Sequence, residues 1–179
     1  MLEQLGIHPR NSFAPLAAGE VAFYPTAALS TGLQRLLEVR RVVQLRNSAH
    51  SLVKLMNPCA GPSLLVTSYT HPEYAHSMAA TLQLVQANAL LLRGTEGEAV
   101  ADARRPPKMQ GFIAGENVFS QDAQSGSLGS LPKLPAGIDA PGTADYIRAV
   151  LGGAQPVPAP IAQQVIEISA LISRMKGAT

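Results

Sequence analysis

Tryptophan is absent from this chain, tyrosine and phenylalanine occur four times each, and charged residues make up only 15% of it. So few aromatics leave the core to aliphatic side chains, and they argue against recognition of single strands by base stacking, which needs exposed rings. The lone cysteine, Cys59, excludes a disulfide framework and a cysteine-based metal cluster. Next to Pro58 it reads as a small packed residue rather than a reactive thiol. The longest apolar runs, such as Ala87 to Leu92, fall far short of a membrane span. The first residues show neither a basic segment nor an apolar signal core. No Gly-x-Ser-x-Gly elbow occurs, and His8, His50, His71 and His76 lack metal-ligand spacing. The expectation is a soluble protein of a reducing cytoplasm, with no membrane partner. A net charge of +2 excludes a generally basic nucleic-acid coat, though not a local basic face.

What the chain does have is apolar residues at 46%, a mean hydropathy of +0.12, and many Ala, Gly and Pro residues. Its 179 residues suit one domain with a core of its own. Positive charge is concentrated in Leu37 to Pro58, which holds Arg40, Arg41, Arg46, His50 and Lys54 against the single acid Glu38. Outside that window acids slightly outnumber bases.

The spacing predicts the following elements. Met1 to Gly6 reads as the last turn of a helix closed by Gly6. Ser12 to Ala18 can form a short helix, and Val21 to Tyr24 an apolar piece halted by Pro25. Leu29, Leu33, Leu36, Leu37, Val39 and Val43 recur at helical spacing, which predicts one amphipathic helix over Ala27 to Val43. Asn47 or Ser48 can cap a second helix running to Met56. An apolar strand over Ser63 to Tyr69, a helix over Glu73 to Gln86 and a strand over Ala87 to Arg93 make a βαβ unit, hence a parallel pair in an α/β sheet. Met109 to Ile113 is a further strand candidate, Ser120 to Gly142 an irregular connection, and Thr143 to Leu151 and Ile161 to Met175 the closing helices.

Four stretches carry a resemblance to the anthranilate phosphoribosyltransferase family of glycosyltransferases, and within it to the YbiB-type DNA-binding branch. They are Met1-Leu-Glu-Gln-Leu-Gly-Ile7, Val39-Arg-Arg41, Leu45 to Pro58 and Arg93 to Arg105. The resemblance spans the chain but only about the latter half of the family's length. Its phosphate-binding Gly-Thr-Gly-Gly loop would lie ahead of Met1, and no such run occurs here. The expectation is therefore a truncated chain forming a single incomplete α/β domain over 1–179, with a parallel sheet core flanked by helices. Residues 12–57 would form a helical segment packing towards a missing N-terminal helical domain, 63–119 the βαβ core, and 143–175 the C-terminal helices.

What the resemblance implies for chemistry points two ways. In the enzymes an arginine at the place of Arg40 holds the anthranilate carboxylate, a task suited to the planar two-donor fork of guanidinium. An Asp-Glu pair in the loop matching Arg93 to Arg105 binds magnesium with pyrophosphate. Here that point reads Glu98-Ala99-Val100, with Glu96 and Asp102 displaced, and hard cations need converging carboxylates. The enzymes' Phe-Asn and Gly-Pro are replaced by Ala49-His50 and Val53-Lys54, which on a helix share a face four residues apart. With Arg46 one turn back, this would be a basic stripe suited to phosphate. The competing account of every such charge run is an ordinary solvated helix face.

The first expectation is thus sequence-nonspecific binding of DNA or other nucleic acid through Arg35, Arg40, Arg41, Arg46, His50, Lys54, Arg104 and Arg105. It needs no cofactor, and the full-length parent is expected to be a homodimer. The second is a phosphoribosyltransferase of tryptophan-biosynthesis type acting on anthranilate or a similar aromatic acceptor, with magnesium as cofactor. Because no phosphate loop of the family's kind occurs in this chain, the expectation is that it is inactive alone. The third is no independent function, with Leu33, Leu36 and Leu37 laid bare.

Overall fold

The structure is a computed structural model and describes residues 1–129 and 131–177. In chain order it contains α1 (Thr26–Leu29), α2 (Thr31–Val43), α3 (Ala49–Leu52), β1 (Leu65–Tyr69), α4 (Pro72–Leu84), β2 (Ala89–Arg93), β3 (Met109–Ile113), β4 (Glu116–Gln121), α5 (Ala140–Leu151) and α6 (Ala159–Gly177). Short 3-10 turns cover Leu2–Leu5 and Val53–Leu55. The chain divides into two compact units, one of Met1–Pro58 with Lys133–Pro156 and one of Cys59–Pro132 with Val157–Thr179.

The first unit is helical. The opening 3-10 turn closes on Gly6, whose φ of 76° lets its N–H reach the Glu3 and Leu2 carbonyls. That turn packs on α5, and the Arg148 guanidinium donates to the Gln4 carbonyl. Asp139 caps α5 by accepting from the Gly142 N–H at 2.8 Å. The helix expected over Ser12 to Ala18 does not form. Pro15 has no N–H and forces Ala14 out of the helical region, so the segment is an irregular loop with a turn at Ala17–Glu20. Phe13 stacks on Tyr24 with ring centroids 4.9 Å apart.

The long helix expected over Ala27 to Val43 is broken in two. Ser30, extended at φ −157°, ends α1 and starts α2 by accepting from the Leu33 N–H at 3.3 Å. Gln44 closes α2 in the left-handed region at φ 57°. The following helix is shorter than its spacing suggests, with α3 passing at Val53 into the tighter 3-10 turn. It is Asn47, not Ser48, that caps it, accepting from the Ala49 N–H at 3.0 Å.

The second unit is an α/β domain built on a four-stranded mixed sheet in the order β1-β2-β3-β4. The expected parallel pair is present, Leu65 beside Ala89 through Tyr69 beside Arg93, with α4 as the crossover. β3 and β4 extend it antiparallel as a hairpin. Its two-residue turn, Ala114-Gly115, has positive φ at both positions, 48° and 83°, as the right-handed strand twist favours. β2 is buried on both faces. Leu90 and Leu92 pack with Met109 and with Leu171 of α6, while Ala89, Leu91 and Phe112 face the side that carries Met78 and Leu82 of α4. Each such leucine contributes roughly 1.5–3 kcal/mol on leaving water. β4, a polar edge strand, is an element the spacing does not announce. The connection expected over Ser120 to Gly142 is irregular between β4 and α5, and its Ser130 lies outside the described residues.

Candidate functional site

The eight residues expected to contact an anion fall in both units, six in the first and two in the second. Arg35, Arg40 and Arg41 lie on α2, all exposed. At about 100° per residue, Arg40 and Arg41 flank the half-buried Leu33–Leu37 side, and Arg35 lies about 140° from Arg40. Arg40 and Arg41 occupy the last turn of α2, where the partial negative charge of the helix end favours cations. Arg46 follows in the exposed link to α3.

The expected single-faced stripe of Arg46, His50 and Lys54 is not formed, because Arg46 precedes the helix and Lys54 sits in the 3-10 turn beyond it. His50 is half-buried and turned back on its own helix start. Its Nδ1 lies 3.2 Å from the Asn47 carbonyl and 3.4 Å from the Asn47 N–H, so only Nε2 remains to meet a ligand. Lys54 is half-buried and has an interaction of its own. Asn47 also donates to the Leu36 carbonyl at 2.6 Å, tying the link to α2.

The guanidinium groups divide cleanly. Arg10 pairs with Glu20, Arg104 with Asp102 and Arg148 with Asp145, while Arg105 and Arg174 donate to the Gly126 and Val118 carbonyls. Among the described residues, Arg35, Arg40, Arg41 and Arg46 have neither a hydrogen bond nor an ion pair from their side chains, and only Arg93 joins them among the arginines. α2 also turns apolar side chains outward. Leu36, Val39, Val42 and Val43 are exposed, Val42 by 84%. Leu33 and Leu37, expected bare as well, are half-buried.

In the second unit, Arg104 and Arg105 lie in the loop after β2, and a cleft of 330 Å³ opens there. It is lined by Thr70, Arg93, Gly94, Thr95, Asp102 and Arg105, with Pro106 and Pro107 as a wall. This is the carboxyl end of the parallel pair, where open α/β sheets bind ligands. Arg93 at the end of β2 is absent from the expected set. Its signal in the sequence was a lone charge closing the apolar run Ala89 to Leu92.

The resemblance implied magnesium in this loop, and the residues do not fit it. Glu98 folds back onto its own loop, accepting from the Thr95 N–H at 2.7 Å, the Thr95 hydroxyl at 2.8 Å and the Glu96 N–H at 2.8 Å. Burial opposes its ionisation, but these bonds outweigh that and hold its pKa below the usual carboxylate value. Asp102 is gripped by Arg104 at 3.0 and 3.3 Å, and these bonds likewise overcome burial and lower its pKa. Among the described residues no group of three or more His, Cys, Asp or Glu side chains could hold a metal ion.

No protein family model matches the chain. It is 34% identical over 153 residues to the uncharacterized protein YbiB of Escherichia coli (strain K12), a match covering 85% of this chain and 47% of that protein. The two are distant homologues, and the chain spans about half the length of its curated relative. Among the described residues no helix is long and apolar enough to cross a membrane.

Proposed function

We propose that this chain binds nucleic acid without reading its sequence, through phosphate contacts made by Arg40, Arg41 and Arg46 with support from Arg35. One observation carries the reading. Four exposed guanidinium groups within twelve residues lack any partner among the described residues, in a chain where five other arginines are engaged. With no such partner, their planar donor forks are open to phosphate oxygens. His50 offers one further donor. Phosphoribosyl transfer gains no comparable support, since Glu98 and Asp102 spend their oxygens within their own loop.

The test is anisotropy titration of labelled duplex DNA with the full chain across a salt series. Affinity should fall steeply with salt, at about 0.9 log units per log unit of salt for each phosphate neutralised. Arg40→Gln with Arg41→Gln should flatten that slope by nearly two contacts for all sequences alike. A flat salt profile, or one unmoved by the double substitution, would defeat the proposal.

A further inference from the structure

We infer that a second cleft, at the opposite end of the sheet from Arg93, binds a free aliphatic carboxylate of medium chain length, its tail inward and its charge at the rim. Every residue lining it belongs to the second unit, so the reading stands apart from the basic window of the first.

The cleft exists because α6 outruns the strand it covers. The helix lies along β3, with Gln164 at the loop before that strand and Leu171 over Gly111, where a Cβ would come within 2.8 Å of a leucine methyl. The side of α6 that carries Ile168 and Leu171 onto the core continues one turn further to Met175. β3 has ended by then, at Ile113, so the last turn of α6 faces a cleft instead of sheet. Its volume of 500 Å³ lies inside the range of about 300–1,000 Å³ usual for small-molecule sites.

The lining sorts by chemistry. Leu64, Ile113, Ile172 and Met175 supply an aliphatic wall, and none of the described residues that line the cleft is aromatic or acidic. Leu64 and Ile113 pack against the core, which fixes the floor. Asn88 fixes the rim. Its carbonyl accepts from the Leu65 N–H at 2.9 Å and its Oδ1 from the Ala114 N–H at 2.8 Å, tying β1 to the hairpin turn. The one charge among these lining residues is Lys176, which shares a face of the last turn with Ile172. Lys176 has an interaction within the fold, and its three donors on a flexible stem can serve a further acceptor as well. The partial negative charge of the helix end opposes an anion here, and Lys176 offsets it. The tail therefore supplies most of the affinity, and the head group sets the preference for a single negative charge.

Calorimetry of the full chain with hexanoate, octanoate, decanoate and dodecanoate, each below its micelle concentration, tests the reading. Affinity should rise about fourfold for each methylene buried and level off once the tail outgrows the cleft. Octanoate should bind about threefold tighter than octanol, and Lys176→Gln should erase that margin without weakening octanol. Ile172→Trp fills the cleft and should abolish binding. Ile172 is 38% exposed, so the helix tolerates the change, which an unaltered melting curve verifies. Neither variant should move the salt slope set by Arg40 and Arg41. Absence of binding along the series, a rise that never levels, or affinity that survives Ile172→Trp would overturn the inference. Equal binding of octanoate and octanol would do the same.

Discussion

Gln164 holds the loop that shapes the cleft, and replacing it tests how that loop is built. Its side chain, only 4% exposed, reaches from α6 to the loop between β2 and β3. There Oε1 accepts from the Ala101 N–H at 2.8 Å and Nε2 donates to the Ala99 carbonyl at 2.9 Å. Gln164→Leu keeps the volume and removes both bonds. Each bond contributes about 0.5–1.5 kcal/mol, and the orphaned Ala101 N–H, itself buried, adds a desolvation penalty of about 1–3 kcal/mol. The Ala99 carbonyl is half-buried and recovers part of its loss from water. The expected destabilisation is about 2–4 kcal/mol, or about 4–16 °C in Tm for a chain of this size. Urea unfolding followed by circular dichroism gives the energy, and amide exchange at Ala101 localises it. Gln164→Glu supplies the control, because a protonated carboxyl offers one donor and one acceptor as the amide does. Its deficit relative to the parent should shrink as pH falls. A Gln164→Leu loss under about 1 kcal/mol, or unchanged exchange at Ala101, would show that the loop does not depend on this clamp.

Three further outcomes follow from the second unit. Gly111→Ala places a Cβ 2.8 Å from a Leu171 methyl and 3.2 Å from the Phe119 Cβ, so equilibrium unfolding should register a loss of about 1–3 kcal/mol. Leu171→Ala in the same chain should cancel part of it, and strict additivity would argue against direct contact. Ala114→Gly should stabilise the hairpin by about 0.5–1 kcal/mol because Ala114 sits at φ 48°. Gly115→Ala, at φ 83° with its Cβ 2.8 Å from the Gln83 carbonyl, should cost more than that gain, and thermal melts rank the pair. Glu98 and Asp102 have lowered pKa values when folded, so their contribution is complete above their unfolded values, about 4, and is lost as pH falls through the folded ones. Loop protection at Thr95 and Glu96 should fade on acidification below about pH 4, and Glu98→Gln should remove most of that dependence.

Elements with strong local signals were legible in the sequence, and those set by distant partners were not. The βαβ unit is readable because apolar runs flank a helix of ordinary period, and its strands end within two residues of expectation. β4 has no strong signal of its own, since Glu116-Asn-Val-Phe-Ser-Gln121 is a polar edge and its turn carries Ala114 where Asn would announce a hairpin. Ala114 is held there by Asn88, whose Oδ1 accepts its N–H at 2.8 Å from 26 residues away. The break at Ser30 was hidden because Leu29 and Leu33 keep helical spacing across it. The basic window was legible as charge, but the geometry of His50 was not, as it depends on the backbone of Asn47. Arg93 stands in the sequence only as a charge closing an apolar run, because a residue at a strand end gains meaning only once the parallel pair is placed.

The arginines therefore answer two different demands. Arg10, Arg104 and Arg148 meet carboxylates near them in sequence and fasten loops or helix ends, so their charge is largely offset within the fold. Among the described residues Arg40, Arg41 and Arg46 form no such ion pair, and like charges near one another in sequence repel at low ionic strength. That repulsion is a standing cost to the folded chain. A polyanion would remove it on binding, so ligand and salt should act in the same direction on the stability of the first unit and in opposite directions on its affinity. Stabilisation by bound DNA at low salt, shrinking as salt itself relieves the repulsion, is the coupling that unpaired arginines impose.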